Sequence, residues 1–142
     1  MTDGRVLHLI DTYWVYAYLA GKYWRRNDLY KLLYIQQTLL QLHIRLLHVA
    51  QRSSEGHWWA GDVARLSVRD RRRLRAYFSA ATLKAVAHSF ARGLDLFAAD
   101  ARPACASRGL AYPVGREQAV RRHLLAMGAP SVRHSVPHVE GT

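Results

Sequence analysis

Asp11, Val15, Tyr18 and Lys22 follow one another at helical spacing, so a carboxylate, a phenol and an ammonium share one stripe of a helix. Tyr13, Trp14, Tyr16, Tyr23, Trp24, Tyr30 and Tyr34 crowd around that stripe. Buried tyrosine hydroxyls need partners, so this concentration reads either as a satisfied internal network or as the wall of a polar pocket. Trp14 and Trp24 read as core. In the pocket reading, Asp11, Tyr18 and Lys22 are the candidate substrate-binding residues. Trp58 and Trp59, expected in a loop, either cover helix ends or line a site, with packing the favoured role.

A second arrangement is an Arg followed, after four to six residues, by a His. It places a phosphate-binding cation near a general acid-base, and it resembles the signature of the all-helical HEPN-type ribonucleases. Arg52 with His57, Arg116 with His123 and Arg133 with His138 all match. With 18 Arg and 8 His in the chain, chance alone gives about three such matches, so the spacing has little specificity. Arg116 and His123 alone fall on an expected helix and form the alternative ribonuclease pair. His134 and His138 share helical spacing but have no Cys nearby, and Glu140 is the one acid of that segment, too few ligands to read as a metal site.

Established catalytic patterns are missing from the sequence. It has no G-x-x-x-x-G-K-[ST], no H-E-x-x-H, no G-x-S-x-G and no close carboxylate pair for two metals. The expectation is a chain without catalytic residues, metal site or cofactor of its own. Arg69, Arg71, Arg72, Arg73 and Arg75 could grip phosphate, but five Arg in seven positions spread over several helix faces. A solvated surface is the preferred reading over nucleic-acid contact.

The elements that must position these residues are helical throughout, with no alternating strand pattern. Helices are expected over about 5–24, 28–51, 67–78, 81–106 and 116–127. The second carries Leu32, Ile35, Leu39, Leu42, Leu46 and Val49 at a/d spacing, with Lys31, Gln41, Arg45, His48 and Arg52 on the opposite side. Between the first two, Arg25-Arg26-Asn27-Asp28 reads as a tight connection: Asn27 tolerates a left-handed cap and Asp28 caps the next helix. Ser67 with Asp70 resembles a capping box, and Pro103 is expected to kink the fourth helix or end it early. The expected fold is all-α, an antiparallel bundle of about five helices built on a long N-terminal helical hairpin. Residues 1–127 form the domain and 128–142 a loose tail.

Tyr13-Trp14, Tyr18 and Lys22-Tyr23-Trp24-Arg25-Arg26-Asn27-Asp28-Leu29, followed by a Leu-rich helix, resemble the helical C-terminal domain of antibiotic nucleotidyltransferase-like proteins. That group includes the aminoglycoside and lincosamide adenylyltransferases. Asn27 stands where the family has Gly. Trp58-Trp59-Ala60-Gly61, the basic third helix, Phe78-Ser79-Ala80-Ala81-Thr82-Leu83 and Gly109-Leu110-Ala111-Tyr112-Pro113 occur in the family's order.

The resemblance implies a substrate-binding or structural half whose partner is a catalytic nucleotidyltransferase domain. Mg²⁺ and a nucleoside triphosphate belong to that separate domain, on its Gly-Ser turn and Asp-x-Asp pair. Neither element occurs in this sequence, and Asp3-Gly4-Arg5-Val6-Leu7 resembles the segment entering the helical half. Alone, such a chain is expected not to transfer a nucleotide. A stand-alone interaction module, dimerising through the surface the catalytic domain would cover, is the alternative. A HEPN-like protein ranks behind both.

Length and charge set the outer bounds. The 142 residues suffice for a single core. A net charge of +11 raises anionic partners, yet 18 of 21 basic residues are Arg, as a GC-rich coding sequence would produce. The same basicity disfavours a polycationic aminoglycoside as acceptor, leaving a lincosamide-like, nucleotide or other acceptor. The single Cys105 fits a cytoplasmic chain, and the most apolar stretch is too short to span a bilayer.

Overall fold

A computed structural model describes residues 2–53, 56 and 58–129. Within them the chain forms α1 (Thr2–Arg25), α2 (Leu29–Ala50), α3 (Trp59–Ala64), α4 (Val68–Arg73), a 3-10 turn (Leu74–Tyr77), α5 (Leu83–Ala106) and α6 (Val114–Ala126). The fold is all-α, and α1 and α2 make its framework hairpin. α6 packs on α1, while α5 and the 3-10 turn close the bundle against α2.

The α2 seam is buried as its spacing requires: Leu32, Ile35, Leu39, Leu42, Leu46 and Val49 all lie in the core. From α1, Val6, Ile10, Tyr13, Trp14, Ala17 and Ala20 fill the facing side. The Tyr13 ring stacks on Phe97 of α5 at 3.5 Å, and Trp24 meets Phe90 edge-on at 5.8 Å.

Helix ends follow local chemistry. Asp28 accepts from the Lys31 amide at 3.3 Å, and Ser67 from the Asp70 amide at 3.1 Å. Asp70 does not complete a capping box; its carboxylate serves Arg73 and Gln51 instead. α1, α2, α5 and α6 all end in the same Schellman closure, with bonds from Asp28 to Tyr23, Ser53 to His48, Leu110 to Cys105 and Ala129 to Leu124. The left-handed residues are Asn27 (φ 52°), Arg52 (φ 56°), Gly109 (φ 65°) and Gly128 (φ 90°). Asn27 adopts the conformation its type permits; Arg52 does so at a steric cost.

Four expectations need correction. The Trp-rich segment is not wholly loop, because Trp59 opens the short helix α3, held by its own backbone bonds and by Asp62, which accepts from the Gly56 amide at 2.6 Å. The expected helix over 67–78 divides after Arg73 into the 3-10 turn. There the carbonyls of Ala76 and Tyr77 are drawn to Ser89 and Gln36, which removes them from a continuing helical ladder. Pro103 neither breaks nor shortens α5, which runs three residues further; so near the C-terminal end the missing amide costs little. His48, assigned to the polar side of α2, is buried between Ser53 and the Asp62 carbonyl, at 2.7 Å from each. Ala129 is buried at the end of the α6 closure, and residues 130–142 of the expected tail lie outside the described residues.

Candidate functional site

The α1 stripe and α6 meet, which joins the two sets of candidate residues. Arg116 Nη1 pairs with Asp11 Oδ1 at 2.7 Å, and the Tyr18 ring stacks on His123 at 4.0 Å with 20° between planes. Gly21 permits this approach: a Cβ there would sit 2.7 Å from His123 Nε2. Lys22 stands apart, exposed, with its ammonium 5.1 Å from the Tyr23 ring centroid. A hollow of about 200 Å³ lies between Trp14, Val15, Tyr18, Arg116 and Val120. Arg116 and His123 are seven residues apart on one helix, a rise of about 10 Å, and each meets its own α1 partner, Asp11 and Tyr18. His57, Arg133, His134 and His138 lie wholly or partly in segments outside the described residues.

The buried polar chemistry lies elsewhere. His43 of α2 sits in the core with Nε2 2.8 Å from Asp100 Oδ2 and Nδ1 2.7 Å from the Tyr77 hydroxyl. Asp100 can only accept, so Nε2 carries the proton and Tyr77 donates to Nδ1. The Tyr13 hydroxyl lies 2.8 Å from that of Tyr77 and donates to it or to the Gly93 carbonyl at 3.2 Å. Arg73 links Asp100 at 2.6 Å to Asp70 at 3.1 Å, and Gln51 donates to Asp70 at 2.9 Å.

Burial holds His43 below its ordinary pKa despite the bond to Asp100, and pushes the Tyr13 and Tyr77 hydroxyls well above theirs. Burial also opposes the Asp100 charge, but the bonds from His43 and Arg73 outweigh it and hold the carboxyl low. Asp, His and Tyr thus form a hydrogen-bonded relay whose tyrosines stay protonated and whose polar atoms are turned inward. Its role is to fasten α1, α2, α4 and α5 together.

A second network crosses α1, α5 and α6. Glu117, buried, accepts from the Tyr112 hydroxyl at 2.7 Å, from Arg121 at 3.0 Å and from Arg102 at 3.3 Å, while Trp14 donates to Tyr112 at 3.1 Å. Arg121 also pairs with Asp95 at 3.0 Å. Desolvation works against the Glu117 charge, and Tyr112 with Arg121 more than offsets it, so its carboxyl lies below the usual range.

In the basic run Arg69, Arg71, Arg72 and Arg75 face solvent, and Arg73 is turned inward to its two carboxylates. Among the described residues no group of three or more His, Cys, Asp or Glu could hold a metal, and no helix is long and apolar enough to cross a membrane.

A larger opening, about 380 Å³, lies between α2, α3 and the end of the 3-10 turn. Leu33, Gln36, Leu40, Trp59, Phe78 and Ser79 line it. No residue of its wall is charged. Trp59 stands out by type and Phe78-Ser79 fall in the family-like junction, whereas Leu33, Gln36 and Leu40 carry no such signal, because their approach to these residues depends on how the 3-10 turn returns to α2. The chain matches no protein-family model, no curated protein and no solved structure.

Proposed function

We propose that this chain is a helical substrate-binding or structural half of the antibiotic nucleotidyltransferase type, acting against a separate catalytic domain. One observation carries the reading: the α1 stripe that carries Asp11, Tyr18 and Lys22 stays partly exposed although α6 packs beside it. Val15, Tyr18 and Leu19 are 50%, 48% and 38% exposed there, flanked by Asp11 and Lys22. Such a face, apolar in the middle and charged at its ends, suits contact with another domain or a substrate held between domains.

The left-handed Asn27 supports the same reading, since the family has Gly at that turn. In this proposal the absent domain supplies the nucleotide and Mg²⁺, and this chain supplies Asp11, Tyr18 and Lys22 to the acceptor side. A cytoplasmic setting goes with it.

The direct test begins with the DNA upstream of Met1. An in-frame or adjacent segment encoding a Gly-Ser turn and an Asp-x-Asp pair is expected, and its product should form a one-to-one complex with this chain. The same uncovered face would serve a second copy of the chain. A defined homodimer that leaves such a domain unbound would replace the proposal with a stand-alone interaction module.

A further inference from the structure

The basic run takes on a different meaning beside α5. Arg73 pairs with Asp100 at 2.6 Å, while three residues later the Ala76 carbonyl accepts from Ser89. Rising numbers on one segment meet falling numbers on the other, so α4 and the 3-10 turn lie antiparallel along α5. Between them runs a groove of about 410 Å³, lined by Arg72 and Arg73 from α4 and by Arg92, Asp95 and Leu96 from α5.

The carboxylates of these segments already have cations. Asp95 pairs with Arg121 at 3.0 Å, and Arg73 holds both Asp70 and Asp100. From Arg71 to Leu94 the sequence has no acid at all. Arg69, Arg72, Lys84 and Arg92 are left exposed, with no ion pair among the described residues. Lys84 and Arg92 share one stripe of α5, about 12 Å apart, and Arg69 precedes Arg72 by one turn of α4. Because the segments are antiparallel, Arg69 and Lys84 extend the groove at its opposite ends. A GC-rich coding sequence accounts for the number of Arg. It does not account for four uncompensated cations ordered along one groove while the acids beside them are used internally.

Such an order suits a polyanion whose charges repeat along its length. The rest of the lining selects among polyanions. Besides its charged groups the groove offers only Ala76, Leu96 and Ala99, with no aromatic ring on which a base could stack and no neutral polar side chain to read a base edge. A single strand would find nothing here for its bases, whereas a duplex pairs its bases internally and turns its phosphates outward. A groove between two helices also receives a ridge, which a duplex backbone presents and a membrane surface does not.

We propose that this groove grips the sugar–phosphate ridge of a nucleic-acid duplex, independently of base sequence. The proposal replaces the solvated-surface reading for the side of the basic run that faces α5. It goes beyond the nucleotidyltransferase reading and does not use the α1 face.

The test is titration of the full chain into short fluorescein-labelled DNA duplexes, read by anisotropy at several salt concentrations. Two duplexes of unrelated sequence should bind within about threefold of each other, with log affinity falling against log salt at a slope of about −3 to −4, as four phosphate contacts require. Arg72→Gln combined with Arg92→Gln should weaken binding at least about tenfold near 50 mM salt and flatten the slope by about 2. Both side chains are exposed and unpaired, so this variant keeps its fold. Arg26→Gln combined with Arg45→Gln removes the same charge from exposed positions in the α1–α2 turn and on α2, and should change affinity by less than about threefold. Equal losses in the two variants would reduce the effect to net charge and overturn the groove. Tighter binding of an oligothymidine strand of the same length, of polyglutamate or of phosphatidylserine vesicles would overturn the duplex assignment. No saturable binding up to about 100 μM chain would overturn the proposal outright.

Discussion

Two Arg–Asp pairs of nearly equal length frame the molecule. Arg116 and Asp11 meet at 2.7 Å on the α1/α6 surface with 48% and 46% of their side chains exposed. Arg73 and Asp100 meet at 2.6 Å, but with 23% and 15% exposed and with His43 on the second carboxylate oxygen. The sequence draws attention to the first pair, whereas the structure gives the second the greater weight. In water, solvent supplies most of what a partner would; in the core the partner is all there is. The α1 surface pair therefore contributes little to stability, and the His43 region is committed to holding the scaffold.

Removing each aspartate should break the comparison most visibly if it is wrong. Asp100→Ala strands His43 and leaves Arg73 with Asp70 as its remaining carboxylate, and should cost about 3 kcal/mol in urea unfolding. Asp11→Ala should cost less than about 0.5 kcal/mol. Similar losses for the two variants would mean that burial does not separate the regions.

Two glycines sharpen the same contrast. At Gly93 an added Cβ lies 2.9 Å from the Tyr77 ring, whose hydroxyl is fixed in the buried relay, so Gly93→Ala should destabilise by about 1–3 kcal/mol. At Gly21 the neighbour is the His123 ring of the half-buried α6 edge. There the gain in helix propensity, about 1 kcal/mol, should largely offset the displacement of a movable side chain. Thermal unfolding of both variants checks the pair.

The regions should also differ in pH response. Burial lowers the folded pKa of His43 beneath its unfolded value of 6.5. Below that pH the unfolded chain binds a proton that the folded chain resists, so stability is full above about pH 6.5 and falls as the solution is acidified. Each unit of difference is worth about 1.4 kcal/mol. Below about pH 4 the lowered Asp100 and Glu117 carboxyls add a further loss in the same direction. His43→Gln should be less stable at pH 7 yet show a flatter stability curve between pH 7 and 5, measured by urea unfolding.

A modest effect of the opposite sign is expected at the end of α2. Arg52→Gly relieves a left-handed backbone that disfavours a side chain and should stabilise by about 0.5–1 kcal/mol. The same change at Asn27 should gain less, since Asn tolerates that conformation better.

What could be read from the sequence was local and periodic. The α2 seam from Leu32 to Val49, the Asn27-Asp28 turn and the Ser67 cap each rest on residues within a turn or two of one another. Asp11 and Tyr18 could be placed on one stripe for the same reason, but not opposite Arg116 and His123, because helix packing chooses that register. The His43 relay was out of reach: its partners Tyr13, Tyr77 and Asp100 lie on three other elements. Gln36 sits in a Leu-rich helix like any polar flank, and only the returning 3-10 turn makes its amide a buried one. The signal that existed was composition, a His and a Gln placed among the apolar residues of an otherwise clean seam.

The central claim is that the uncovered face of α1 exists for contact outside this chain. It is tested most directly by measuring how the combined Asp11→Ala, Tyr18→Ala and Lys22→Ala variant binds the separate catalytic nucleotidyltransferase domain that the proposed function requires. The account predicts a fold destabilised by less than about 2 kcal/mol and an affinity reduced at least about tenfold. Unchanged affinity in the folded variant would contradict it.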